Sequence, residues 1–220
     1  LGDVYKRQID DFYKTKIDRL KMSKKTHPLF ITRGVPGTHD VKLLNQTINN
    51  LKQKNFRTVL IPKFDKSKDD RFKKSKWQKV KVRPDVIIFE GWCVGVTHQT
   101  NLELKKPINY IEKKYEKNLK WRKIVNNLIK KSYKNLFNKI DKLVYLKVPH
   151  FDYIVEWRWI QEQKMKLTSK SKKTMSKTQV KEFIMFYERL TKHMMKNYSK
   201  ISDLTILLDK NHRSKKMIIN

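Results

Sequence analysis

Residues Asp85–Trp92 read DVIIFEGW, a short apolar run closed by a carboxylate and a glycine. Four consecutive apolar residues without alternation predict a strand buried on both faces, the pattern of a parallel sheet rather than of a half-wet hairpin. Three more stretches read the same way: Arg57–Pro62 (RTVLIP), Leu143–Val148 (LVYLKV) and Leu204–Leu208 (LTILL). Helical patterns lie between them. Val41–Lys54 follows Asp40, a good N-cap. In Trp121–Ile140 the residues Trp121, Ile124, Val125, Leu128, Leu136, Phe137 and Ile140 make one apolar stripe. Asp152–Leu167 and Thr178–Tyr198 are two further amphipathic segments. Strands alternating with helices require crossover connections, so the expected class is α/β: three layers, α/β/α, around a mostly parallel sheet.

The length of 220 residues fits one such domain, and the hydrophobic fraction of 38% suffices for a core because it is clustered. No apolar run approaches the roughly 20 residues that span a bilayer, so no membrane partner is expected. The single cysteine, Cys93, excludes an internal disulfide framework and fits a reducing cytoplasm. A net charge of +32 points first to nucleic acid. The excess is mostly lysine spread along the whole chain, however. Alanine is absent and only 5 of 220 residues are glycine. That is the signature of an AT-rich coding sequence, which needs no ligand, and nucleic acid is therefore not the expected partner. A field of this sign still attracts small anions. Two segments look mobile: Lys66–Lys81, anchored only by Trp77, and Thr168–Lys177, which has neither periodicity nor apolar content.

Chemistry concentrates in three motifs. Glu90 stands at the tip of the DVIIF strand, and Gly91 lets the chain turn beside a ligand, as in a Walker-B-like strand; an ordinary strand end is the plain alternative. Ile9–Tyr13 (IDDFY) places adjacent carboxylates where an open parallel sheet binds its ligands. Asp10 there can take a hydroxyl proton or hold magnesium through water, or else cap a helix. Arg33–Asp40 (RGVPGTHD) holds two of the 5 glycines and a proline in one loop. Arg33 and His39 are donors suited to a carboxylate or phosphate, and Thr38 and Asp40 can cap the following helix while the loop presents its N–H groups to an anion. His27, His98, His150, His193 and His212 show no ligand spacing, and one cysteine builds no zinc site.

These motifs together resemble the D-glycerate 3-kinase family of P-loop small-molecule kinases, itself similar to uridine kinases and phosphoribulokinases. The resemblance is carried by IDDFY, RGVPGTHD, PKFDKSKDDR (Pro62–Arg71) and FEGWCVG (Phe89–Gly95). It continues through VPHFDYIVEWRWIQEQKM (Val148–Met165), FYERLTKHM (Phe186–Met194) and LDKNHR (Leu208–Arg213), in the family's order. It implies phosphoryl transfer from ATP with Mg²⁺ to a hydroxyl of a small hydroxy acid, D-glycerate. It implies that Asp10 and Glu90 share the roles of catalytic base and Mg²⁺ partner. Arg33, Thr38, His39, Asp40, Lys63 and Asp65 become substrate-side residues, and Arg158 a lid arginine over the ATP phosphates. A nucleoside or other small alcohol as acceptor, and a non-catalytic nucleic-acid module using the lysines, are the alternatives.

The departure from the family lies at the start. No G-x-x-x-x-G-K-[ST] occurs anywhere in the sequence. Leu1–Gln8 (LGDVYKRQ) reads as a translated adapter or assembly scar, which leaves residues 9–220 as a P-loop kinase-like domain lacking its first strand and Walker A loop. The expectation is that these residues alone bind ATP poorly and turn over little.

Overall fold

The computed structural model describes residues 3–116, 118–168 and 174–220. In chain order the elements are β1 (Val4–Gln8), α1 (Lys16–Lys25), α2 (Val41–Lys52), β2 (Val59–Ile61), β3 (Phe64–Asp65), β4 (Asp70–Arg71), β5 (Gln78–Val80) and β6 (Val86–Glu90). There follow α3 (Asn101–Lys105), α4 (Tyr110–Tyr115), α5 (Lys120–Leu128), α6 (Lys134–Phe137), β7 (Val144–Lys147), α7 (Phe151–Thr168), α8 (Lys177–Asn197), β8 (Leu204–Leu208) and β9 (Ser214–Ile219). The chain forms two compact units, Leu1–His98 with Leu119–Lys139, and Gln99–Asn118 with Ile140–Asn220. The α/β class and the parallel pairing are as the sequence predicts.

In the first unit β1 and β6 pair in parallel, with Val4 opposite Val86 and Gln8 opposite Glu90. Residues 4–8, part of the stretch that reads as an adapter or assembly scar, thus occupy a strand beside the DVIIF run. That run is not buried on both faces. Val86 and Ile88 are 50% and 47% exposed, and Val4, opposite Val86, is 58% exposed. The core lies elsewhere. It is built from Ile9, Phe12, Phe30, Leu44, Leu51 and Ile61, with Ile129 and Leu136 from the last stretch of the unit. Helix α2 begins where Asp40 accepts a hydrogen bond from the Leu43 N–H at 3.1 Å, and buries Leu44, Ile48 and Leu51 at helical spacing. A π-helical turn, Ile129–Tyr133, joins α5 to α6. The extra residue in that turn carries the buried stripe through Trp121, Val125, Ile129, Tyr133 and Leu136.

The Lys66–Lys81 segment, expected to be mobile, contains two short paired strands. Strand β5 runs antiparallel to β2, β4 antiparallel to β3, and the Trp77 indole N–H donates to the Phe72 carbonyl at 2.9 Å. Backbone pairing, which does not register in a composition so rich in lysine, outweighs the lack of apolar side chains.

In the second unit β7 and β8 are parallel and β9 is antiparallel to β8. Helix α8 starts with a capping box between Ser176 and Gln179. Arg189 on this helix is almost fully buried and forms a bidentate pair with Glu112 of α4, both contacts at 2.6 Å. The same guanidinium donates to the carbonyls of Glu103 and Lys106 at 2.9 and 2.7 Å. A cavity of about 330 Å³ lined by Phe151, Val155, Ile184 and Met185 belongs to this unit, and none of the expected site residues lines it. The central residues of the Thr168–Lys177 stretch lie outside the described ones. Among the described residues no helix is long and apolar enough to cross a membrane.

Candidate active site

Strand pairing brings the two expected acids to neighbouring strand ends. Gln8 is opposite Glu90, and the chain then enters a 3₁₀ turn, Ile9–Phe12, that carries Asp10. Ile9 and Phe12 are fully buried and hold that turn to the core. Gly91 fixes the spacing. A Cβ there would overlap the Ile9 side chain and lie 3.1 Å from Val94 Cγ2. Gly91→Ala is therefore expected to destabilise the unit by about 1–3 kcal/mol through overpacking and to displace the Asp10 turn; urea unfolding of the variant measures the loss.

Both acids are partly open to solvent, with side chains 28% (Asp10) and 36% (Glu90) exposed. Asp10 Oδ1 accepts from the Tyr13 hydroxyl at 2.9 Å, while Oδ2 pairs with the Lys66 ammonium at 2.9 Å. Glu90 pairs with Lys6 at 3.0 Å and accepts from the Gln8 amide at 2.6 Å. Asp11 is half-buried, and desolvation raises its carboxyl above the usual range against the lowering effect of the Phe64 N–H.

The RGVPGTHD loop is strapped to the acid turn. Asp40 N–H donates to the Phe12 carbonyl at 2.7 Å and Lys14 N–H donates to the Thr38 carbonyl at 2.8 Å, flanking the Tyr13–His39 bridge. Gly34 and Gly37 have φ of 128° and 109°, which side chains rarely adopt. Thr38 is fully buried. Its hydroxyl accepts from Gly34 N–H at 3.0 Å and donates to the Val35 carbonyl at 2.7 Å, so it closes the loop on itself. Asp40 caps α2 and also meets Arg71 at 3.3 Å. Arg71 in turn donates twice to the Tyr13 carbonyl, at 3.1 and 2.7 Å.

His39 is 1% exposed, and burial drives its imidazole down to about 3. Its Nδ1 is 2.8 Å from the Tyr133 hydroxyl, its ring stacks on Tyr13 with centroids 4.6 Å apart, and its Nε2 is buried without a hydrogen-bond partner. Such an orphan costs about 1–3 kcal/mol. The depressed value also sets a sign for acid stability. The unfolded imidazole takes a proton below about pH 6.5 and the folded one does not until about pH 3, so stability present above 6.5 is lost as pH falls through that window. Between pH 7 and pH 5 the loss is expected to be about 2 kcal/mol, read as the difference in urea unfolding between wild type and His39→Gln.

Arg33 is ion-paired with Asp69 and sits 5.7 Å from the Phe64 ring centroid. Arg19, almost fully buried, pairs with the same Asp69 at 2.9 Å. Lys63 is exposed, with its ammonium 5.6 Å from the Phe72 ring centroid. Asp65 accepts from the Ser67 hydroxyl and from two backbone N–H groups, and the Ser67 hydroxyl leads in holding its carboxyl below the usual range. It shapes a turn. Arg158 belongs to the second unit, where it is ion-paired with Glu162, donates to Gln161 at 3.0 Å and lies 5.7 Å from the Phe183 ring centroid. Sequence reasoning missed Tyr13, Lys66 and Tyr133. Lys66 lies inside the quoted PKFDKSKDDR stretch, one residue beyond Asp65. Tyr133 stands three and four residues before Leu136 and Phe137 of the expected stripe, a spacing that marks burial, but nothing in the sequence points to its partner His39.

Carboxylates at the ends of adjacent strands, next to a loop of constrained backbone, are compatible with a kinase acting on a small molecule. No family model matches the chain. The kinase mug58 of Schizosaccharomyces pombe, called uncharacterized, is 33% identical over 192 residues, which cover 84% of this chain and 67% of that protein. The chloroplastic D-glycerate 3-kinase of Arabidopsis thaliana is 29% identical over 188 residues, covering 81% of this chain and 38% of the plant protein. The solved D-glycerate 3-kinase of Cryptococcus neoformans superimposes with a TM-score of 0.82 at 27% identity, over 100% of this chain and 80% of that one. The chain belongs to the D-glycerate 3-kinase family of ATP-dependent kinases.

Proposed function

We propose that the protein transfers the γ-phosphoryl group of ATP to a hydroxyl of a small hydroxy acid, D-glycerate. The observation that carries this reading is the pairing of Gln8 with Glu90, which brings Asp10 and Glu90 to the same end of two adjacent strands. Asp10 keeps Oδ1 on the Tyr13 hydroxyl, so Oδ2 is the oxygen that takes the acceptor's proton once Lys66 yields it. Lys66 supplies positive potential for the acceptor's carboxylate and the transferring phosphoryl group.

Mg²⁺ fits this donor set. Among the described residues no cluster of three or more His, Cys, Asp and Glu side chains could hold a metal alone. One or two carboxylates with nucleotide phosphates and water are the ordinary ligands of catalytic magnesium. Glu90, the more exposed acid, would hold it, and the ion would neutralise charge developing between the β- and γ-phosphates.

Because the Walker A pattern is absent from the 220 residues, turnover by these residues alone is proposed to be low. The test is a comparison of this chain with one extended by its upstream coding sequence, assayed with ATP and Mg²⁺ against D-glycerate and a panel of nucleosides. Glycerate-dependent ADP release supports the reading, and turnover of nucleosides instead replaces the acceptor. ATP consumption with neither acceptor refutes it, and the net charge of +32 then directs the next measurement to nucleic acid, whose binding must weaken steeply with salt. A cytoplasmic location is part of the same proposal and rests on the one free, buried cysteine.

A further inference from the structure

Behind Asp10 lies a line of buried contacts, of which the reading above uses only the hydrogen bond from Tyr13 to Asp10. Gly37 N–H donates to the Tyr133 hydroxyl oxygen at 2.8 Å, and that hydroxyl is 2.8 Å from His39 Nδ1. The His39 ring stacks on Tyr13 at 4.6 Å with the planes 20° apart, and the Tyr13 hydroxyl donates to Asp10 Oδ1 at 2.9 Å. Tyr133, His39 and Tyr13 are 0%, 1% and 3% exposed. Only the Asp10 end of the line reaches solvent.

The proton inventory fixes the tautomer. The Tyr133 oxygen already accepts from Gly37, so its own proton is free to donate. If it donates to Nδ1, the imidazole carries its proton on Nε2 and one buried donor is left unpaired. If Nδ1–H donates instead, both the tyrosine proton and the Nε2 lone pair are stranded. The first arrangement strands fewer groups. It also explains a position that serves stability poorly: a sealed histidine with an orphaned nitrogen, held by the tyrosine that ends a π-helical turn of the kind that recurs at functional sites.

We propose that Tyr133 is a positioning residue, acting through the Nε2–H tautomer of His39 and the ring of Tyr13 to hold the Asp10 carboxylate in one orientation. The inference rests on the reading of Asp10 as the acid at the acceptor hydroxyl. It also moves His39 from substrate contact to support, since an atom sealed from solvent cannot meet a ligand in this conformation. Tyr133 keeps its proton throughout, because burial lifts its phenol far above the usual range. Asp10 is the one member of the line that would touch substrate, and Tyr13 and Tyr133 act through it.

The experiment is nitrogen and hydroxyl-proton NMR on the full chain, with and without D-glycerate. In the wild type His39 is expected as a single neutral Nε2–H tautomer from pH 5 to 8, with the Tyr13 hydroxyl proton in slow exchange. Tyr133→Phe removes one oxygen and keeps the ring. It is expected to mix the His39 tautomers and to speed exchange of the Tyr13 hydroxyl proton by at least about tenfold. A packing role alone would leave the Tyr13 proton unmoved. His39 found as Nδ1–H in the wild type overturns the proposal even if the variant fails to fold. So does a folded Tyr133→Phe with the tautomer and the Tyr13 proton unchanged. A wild-type chain with the line intact that ignores D-glycerate supports the positioning line and counts against the acceptor named above.

Discussion

Asp10→Asn is expected to lower kcat for ATP-dependent phosphorylation by roughly 10³-fold, in the middle of the range for removal of a general base. The amide keeps the Tyr13 hydrogen bond on its carbonyl oxygen but has no oxygen left to receive a proton. The KM for the hydroxy acid should change little, because the interaction lost is one made in the transition state. Thermal stability should also hold, since the partner left behind, Lys66, is 59% exposed and can return to water. Steady-state kinetics of the turnover-competent protein decide the matter. A variant within tenfold of wild type in kcat would remove Asp10 from the chemistry and leave Glu90 as the acid to test.

Glu112→Gln should be the most damaging conservative change in the second unit. Glu112 is 1% exposed and meets Arg189 through both carboxylate oxygens at 2.6 Å. It also accepts the Ile108 N–H at 3.0 Å. The amide is nearly isosteric, so no cavity opens, but the guanidinium is left buried without its counter-charge. Breaking a buried pair from one side costs about 3–5 kcal/mol, which for a chain of this size lowers Tm by about 10 °C. Arg189 also holds the Glu103 and Lys106 carbonyls, so the docking of α3 and α4 on α8 loosens with it. Calorimetry reads the shift, and a drop of only a degree or two would mean that the pair is solvated in solution. Arg189→Met in the same background should recover part of the loss, because the stranded charge is gone.

Much of this architecture could be read before any coordinates. LTILL becomes β8 residue for residue, and the start of α2 falls one residue after its expected cap because Asp40 does what a capping aspartate does. Short apolar runs and caps are local signals. Glu90 at its strand tip was legible because an acid closing an apolar run is a local signal, whereas Asp10, which follows Lys6, Arg7, Gln8 and Ile9, rested on the resemblance, and strand pairing sets it just beyond the neighbouring strand end. What stayed hidden depended on geometry. Thr38 and Asp40 looked like ligand contacts, yet Thr38 closes its own loop and Asp40 divides its oxygens between a helix cap and Arg71. Asp65 folds over its own turn, and Arg158 is committed to Glu162. The burial of Tyr133 follows from its helical spacing to Leu136 and Phe137, but its contact with His39, 94 residues away in the chain, has no local signal. The β4 and β5 strands were hidden by lysine, which codes for exposure but does not forbid backbone pairing.

The half-bare outer row of β6, Val86 and Ile88 with Val4 alongside, has a practical side. Apolar strips of this kind adhere to one another when molecules approach closely. At low ionic strength a charge of +32 keeps the molecules apart. Raising salt shortens the reach of that repulsion to about 3 Å at 1 M, while it strengthens apolar adhesion only modestly or not at all for most chlorides. Light scattering in a sodium chloride series should therefore show self-association rising with salt, the reverse of the behaviour of a protein whose copies are joined by ion pairs. Purification by high-salt elution from a cation exchanger would concentrate the protein under the conditions that favour its clumping.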